Sequence, residues 1–180
     1  MINYEAIEVY ESCLSTFKEI SIGGNENEPM TNLEIRAYDF DKVKDEYIKE
    51  NNIKSKETYR SCDALYISKD YENRWCLIEF KSGKVKHGEI MGKIYESLLI
   101  LTDILGTTIS DTRKHFDFIL VYDKDKNPES GIIEFSRRIS SRAEEEYIAF
   151  KLDKFKGLYF KNVNTIDKDA FNYFFKKYSK

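Results

Sequence analysis

Two carboxylates and a lysine stand at a spacing that suits phosphoryl chemistry. Asp63 opens the apolar run Ala64-Leu65-Tyr66-Ile67, and Glu79-Phe80-Lys81 closes the run that begins at Trp75. If the two runs pair as an antiparallel hairpin, the head of the first lies beside the tail of the second. Glu79 and Lys81 are two residues apart, so they share a strand face while Phe80 takes the other. Carboxylates are hard oxygen ligands for Mg²⁺ or Mn²⁺. Such an ion polarises a phosphate and lowers the pKa of a water. A lysine beside it orients or deprotonates that water and meets charge developing in the transition state. Asp63, Glu79 and Lys81 are therefore the catalytic candidates, with Asp63 and Glu79 as the metal ligands.

A Glu-x-Lys at a strand end is also an ordinary surface ion pair worth ~0–1 kcal/mol. What raises the signal is its setting. The runs at 63–68 and 75–80 are short, β-rich and almost continuously apolar, as central strands covered on both faces are. The charged segment Lys69 to Asn73 reads as the turn between them. After Gly83 the period changes, and Ile90, Ile94, Leu98, Leu101 and Leu105 form one stripe of a helix over Glu89 to Leu105. Gly92 within it costs ~1 kcal/mol relative to Ala and suggests close packing on the sheet. Gly106 is the expected C-terminal stop.

The remaining chain supplies the frame. Ile7, Tyr10, Leu14, Phe17 and Ile20 predict a helix over Tyr4 to Ile20, ended by Gly23-Gly24 and a polar loop. Leu33, Ala37, Phe40, Val43 and Tyr47 predict a second helix over Thr31 to Asn51. A faint strand is expected near Glu57 to Arg60. Phe116 to Tyr122 is a buried strand, Ile132 to Phe150 contains a helix, Leu158 to Val163 is a short strand, and Asp167 to Tyr178 is an amphipathic helix. The order indicates an α/β chain with a mixed central sheet flanked by helices. It reads as one domain with a helical extension (1–30), a core (31–123) and a C-terminal elaboration (124–180).

Composition narrows the function classes. The chain has 180 residues, 41% of them hydrophobic, enough for a core without disulfides or structural metal. Charged residues make up 34% with signs mixed, and the net charge of −3 argues against a dedicated, strongly basic DNA-binding protein. Cys13, Cys62 and Cys76 are dispersed, without the spacing of a zinc site or a disulfide framework. No stretch approaches the ~20 apolar residues of a membrane helix, and the first residues lack a signal-peptide pattern. A cytoplasmic protein is expected, with no membrane contact. Ser61 and Cys62 lack a base partner for nucleophilic catalysis. Arg137, Arg138 and Arg142 are followed by Glu144, Glu145 and Glu146 and read as an ion-paired helix surface. His115 reads as structural, and Trp75 and the tyrosines mostly as core.

The pattern of Asp63, then Glu79-Phe80-Lys81, then a glycine turn, an amphipathic helix and a buried strand resembles the PD-(D/E)XK, restriction-endonuclease-like nucleases. The resemblance covers about residues 31–123, half the chain. It implies an αβββαβ core, a Mg²⁺ or Mn²⁺ cofactor, and catalytic roles for Asp63, Glu79 and Lys81. Cys62 stands where that motif carries proline. Many members place a further acid on the first core helix, and Glu34 and Glu46 are the candidates. Some carry Gln-x-x-x-Tyr on the helix after the lysine; Tyr95 matches the tyrosine, but Met91 holds the glutamine position. Lys86, His87 and Lys93, together with Tyr95, are candidates for phosphate contact. The expected function is a metal-dependent hydrolase of phosphodiester bonds, with DNA as the partner. The alternative is a catalytically inactive relative that binds a protein partner, of immunity or antitoxin type, or forms a homodimer.

Overall fold

The apolar runs that begin at Ala64 and Trp75 do pair antiparallel, as expected of a hairpin, and a mixed sheet is built outward from them. The structure, a computed structural model, describes residues 3, 5–22, 28–68, 74–128 and 148–176, with the side chains of Arg74 and Lys176 not described. Its strands are β1 (Leu14–Thr16), β2 (Arg36–Asp39), β3 (Ala64–Ser68), β4 (Arg74–Lys81), β5 (Phe116–Tyr122) and β6 (Asn162–Asp167). They lie in sequence order across one sheet. Neighbours from β1 to β4 are antiparallel, whereas β4–β5 and β5–β6 are parallel. The helices are α1 (Glu5–Glu8), α2 (Phe17–Ile20), α3 (Phe40–Glu50), α4 (His87–Ile104), α5 (Ile109–His115) and α6 (Lys168–Lys176). The chain is thus α/β, with a mixed sheet flanked by helices. No helix of the described residues is long and apolar enough to cross a membrane.

Alternation along β4 sorts the core into two layers. Trp75 and Leu77 face the layer that holds Ile90, Ile94, Leu98 and Leu101 of α4. Cys76, Ile78 and Phe80 face the layer that holds Phe17, Phe171 and Phe175. Glu79 continues the α4-facing set, so the period of two that buries the strand also drives a carboxylate under a helix. α4 is the crossover that returns the chain from β4 to the parallel β5. Gly106 ends it at φ +56°, where a Cβ would meet nothing within 4 Å. Its requirement is therefore conformational, and Gly106→Ala lowers unfolding free energy by about 1 kcal/mol. A lower urea midpoint with unchanged slope is the expected readout.

Several expected elements differ from those found. The helix over 4–20 is broken into α1, a short turn at Glu11–Cys13, β1 and α2. Ile7, Tyr10 and Cys13 pack in one layer and Phe17 in the other, so the chain crosses the sheet edge at β1. One straight helix cannot reach both faces. Thr16 then caps α2, its hydroxyl accepting from Glu19 N–H at 3.2 Å. The helix over 31–51 begins only at Phe40, because Arg36–Asp39 is β2 and the Asp39 carboxylate caps α3 by accepting from Lys42 N–H. No strand lies at 57–60. β6 starts four residues later than expected, after Gly157 (φ +76°) turns the chain and its N–H donates to Phe160 O. What faces Gly92 is Arg60, not the sheet: a Cβ there would stand 2.5 Å from Nη1. The expected helix around Arg137, Arg138 and Arg142 lies outside the described residues, apart from a non-helical end at Ile148–Phe150. From β3 onward the order is β3, β4, α4, α5, β5, one helix more than the ββαβ anticipated for a nuclease-like core. Before it the order differs, since α3 stands between β2 and β3.

Candidate functional site

Backbone hydrogen bonds fix Asp63 before its side chain does anything. Its N–H donates to Ile78 O at 3.1 Å, extending the hairpin ladder by one residue, and its carbonyl accepts from Phe40 N–H at 2.9 Å. Asp63 is thereby tied to β4 on one side and to the start of α3 on the other. Its Oδ2 accepts the Phe80 N–H at 2.6 Å, which leaves Oδ1 to face α4. Glu79 reaches the same space from β4 and is only 1% exposed. The expected juxtaposition of Asp63 and Glu79 is present.

The group that joins them is Lys93. Its Nζ lies 3.0 Å from Asp63 Oδ1 and 2.7 and 2.9 Å from the two Glu79 oxygens. Lys93 falls three residues after Ile90 and four before Ser97, so it lies on the inward stripe of α4. Ser97 is itself buried and accepts the Cys62 N–H at 2.7 Å, fixing the residue before Asp63. Helix and strand thus bring one ammonium onto two carboxylates.

Lys81 takes another partner. It points toward the same cleft, but its Nζ is bound to Glu89 Oε2 at 3.2 Å. Glu89 also pairs with Lys86 at 3.0 Å. These two lysines hold the Glu89 carboxyl below its usual range. Asp63, Glu79, Lys81 and Lys93 all line a cleft of about 620 Å³, with Asp41, Lys84, Lys86 and Glu89 around it.

Electrostatics inside the cleft are unbalanced. Two carboxyl groups share one ammonium, so the pair carries one uncompensated negative charge whenever both acids are ionised. Burial pushes the Glu79 carboxyl well above the usual range, and the neighbouring Asp63 charge pushes it further. Burial also raises Asp63, against the opposing pull of Lys93 and the Phe80 N–H. Burial alone would depress the Lys93 ammonium, but the two carboxylates outweigh it and hold it protonated. Cys62, fully buried beside them, has its thiol pushed up by desolvation and by Glu79, so it is no nucleophile at neutral pH.

The other candidates divide by position. Lys86 lines the cleft. His87 does not: its Nδ1 is 2.7 Å from Phe150 O, at the start of α4. Tyr95 lies on the outer side of α4 against Phe155 and Tyr159. Glu34 is exposed and pairs with Lys18, and Glu46 pairs with Lys49; neither lines the cleft. The acid that α3 does present there is Asp41, in its first turn, where its carboxylate accepts from Ser61 Oγ and pairs with Lys44 at 3.1 Å. Asp41 is close enough to contribute to the rise of Asp63. Sequence periodicity hides it, because a helix starting at Thr31 would put it mid-helix instead of at the end facing the sheet.

The donor set suits a hard divalent ion that keeps much of its water, since Asp63 and Glu79 offer oxygens to one point and Mg²⁺ commonly takes only one or two protein carboxylates. Among the described residues, no group of three or more His, Cys, Asp or Glu side chains converges as a closed metal cage. No family model, curated protein or solved structure matches the chain.

Proposed function

We propose that the cleft is the active site of a divalent-metal-dependent phosphodiesterase acting on nucleic acid, with DNA the leading substrate. One observation carries the reading. A fully buried glutamate and a backbone-anchored aspartate meet on a single cation within 3.0 Å, at the floor of a cleft rimmed by lysines. Burying an excess carboxylate is costly, and such groups collect where chemistry needs them. A dication in place of the ammonium would turn the excess negative charge into balance.

In this reading Asp63 and Glu79 hold Mg²⁺ or Mn²⁺, which polarises the phosphate and lowers the pKa of a water when bound. The chain's own residues do the rest. The hairpin ladder and the Phe80 N–H keep Asp63 Oδ1 aimed at Glu79. Lys81, released from Glu89, meets charge on the phosphate or orients the attacking water. Lys84 and Lys86 at the rim contact flanking phosphates, a sequence-independent attraction that salt weakens. The cytoplasm is the proposed setting.

Purified protein is expected to cut single- or double-stranded DNA with Mg²⁺ or Mn²⁺ and to stop when EDTA is added. No cleavage of DNA or RNA at micromolar enzyme with either ion defeats the reading. A second reading, a non-catalytic protein-binding relative, has one observation in its favour. Lys93 and Glu89 already occupy the groups that catalysis needs. It predicts a protein complex that survives loss of Asp63, Glu79 and Lys81 together.

A further inference from the structure

The oxygens that a divalent ion would use are already occupied. Both Glu79 oxygens and Asp63 Oδ1 accept from Lys93 Nζ, and Asp63 Oδ2 is held by the Phe80 N–H. Every carboxylate oxygen of the pair is therefore engaged by a group of this chain. A divalent ion at 2.0–2.1 Å from these oxygens would stand beside an ammonium that holds the same atoms, and like charges repel. Lys93 sits on a flexible four-carbon stem and is 28% exposed, so it has a way out toward the cleft.

We propose that Lys93 is a tethered counter-ion that competes directly with the divalent ion for Asp63 and Glu79, so that metal entry expels its ammonium into the lysine-lined cleft. The inference rests on the reading of this pair as a metal site and adds the regulation of that site. Without metal, Lys93 stays hydrogen-bonded to both carboxyl groups. With metal, its ammonium joins Lys81, Lys84 and Lys86 where a phosphate chain would lie. Metal loading and phosphate affinity are then coupled, each strengthening the other by the same factor.

The test is calorimetric titration of Mn²⁺ into the wild type, Lys93→Met and Lys81→Met. Lys81 lies in the same cleft, but its ammonium is bound to Glu89 and does not hold the pair, so its variant reports the effect of removing a nearby charge alone. The expected result is at least a tenfold tighter Mn²⁺ Kd in Lys93→Met and a change of no more than about threefold in Lys81→Met. Wild-type binding with no gain in Lys93→Met overturns the competition while leaving the metal site standing. Equal gains in the two variants overturn it as well. No binding to any of the three at millimolar Mn²⁺ overturns the metal site and the competition together. Should Lys93→Met fail to fold, acetylation of wild-type lysines read by mass spectrometry decides. Lys93 is expected to react at least fivefold faster with saturating Mn²⁺, relative to the exposed Lys49, and an unchanged ratio overturns the competition.

Discussion

Asp63→Asn and Glu79→Gln are each expected to lower the proposed Mg²⁺-dependent cleavage of DNA by about 10³-fold, with little change in fold. The size is that of removing one charge-stabilising group from a preorganised site. Each amide matches the shape of the acid it replaces but offers a metal one weaker oxygen and no charge. The Asp63→Asn variant still extends the ladder, because the bonds to Ile78 O and from Phe40 N–H are made by the backbone of that residue. Lys81→Met is expected to lose about 10²-fold, because a lysine acts on charge and proton position, not on holding the ion. Single-turnover cleavage at saturating metal separates these losses from weakened metal binding. If all three variants keep wild-type rates, the cleft is not where the reaction occurs.

The second large effect is on stability. In EDTA at pH 8, Lys93→Met is expected to lose about 3 kcal/mol, the lower end for breaking a buried ion pair, because Lys93 retains some exposure. For a chain of this size that lowers the Tm by roughly 6–12 °C. The loss depends on pH in a definite direction. The folded-state pKa values of Asp63 and Glu79 are raised, so the folded chain binds more protons than the unfolded chain. Stability from this pair is present at low pH and declines as pH rises above the ordinary carboxylate range toward neutrality. Without Lys93 the decline is steeper, so the variant recovers much of its Tm at pH 5. Adding Glu79→Gln to Lys93→Met removes one of the two unpaired buried charges and restores part of the stability at pH 8. Thermal unfolding from pH 5 to pH 8 checks all of this; a flat difference across that range contradicts the buried-charge account.

The parts of the fold that are legible in the sequence are those whose pattern is long enough to have a period. The β3–β4 hairpin, α4 with its glycine stop, and β5 fall within a few residues of where apolar runs and stripes put them. β1 and β2 are not legible, because Leu-Ser-Thr and Arg-Ala-Tyr-Asp are too short to show alternation. The helical spacing from Ile7 to Ile20 is real burial produced by a bent path, which spacing alone does not distinguish. In the site, Asp63 and Glu79 are legible because an acid ending an apolar run is unusual. The role of Lys93 is not, although a signal exists: a lysine on the apolar stripe of α4 needs a buried acid opposite. Lys81 does stand in the same cleft as the acids, as its strand position implies, but its pairing with Glu89 across eight residues has no signal in the sequence.

Everything proposed for the cleft depends on Asp63 and Glu79 holding a divalent ion. A crystal soaked in Mn²⁺ and measured for anomalous scattering tests it most directly. The expected result is a peak between Asp63 Oδ1 and the Glu79 carboxylate, at bonding distance from both, with Lys93 Nζ displaced into the cleft. A Mn²⁺-saturated crystal with no peak there, and with Lys93 still clamped between the two carboxylates, contradicts it.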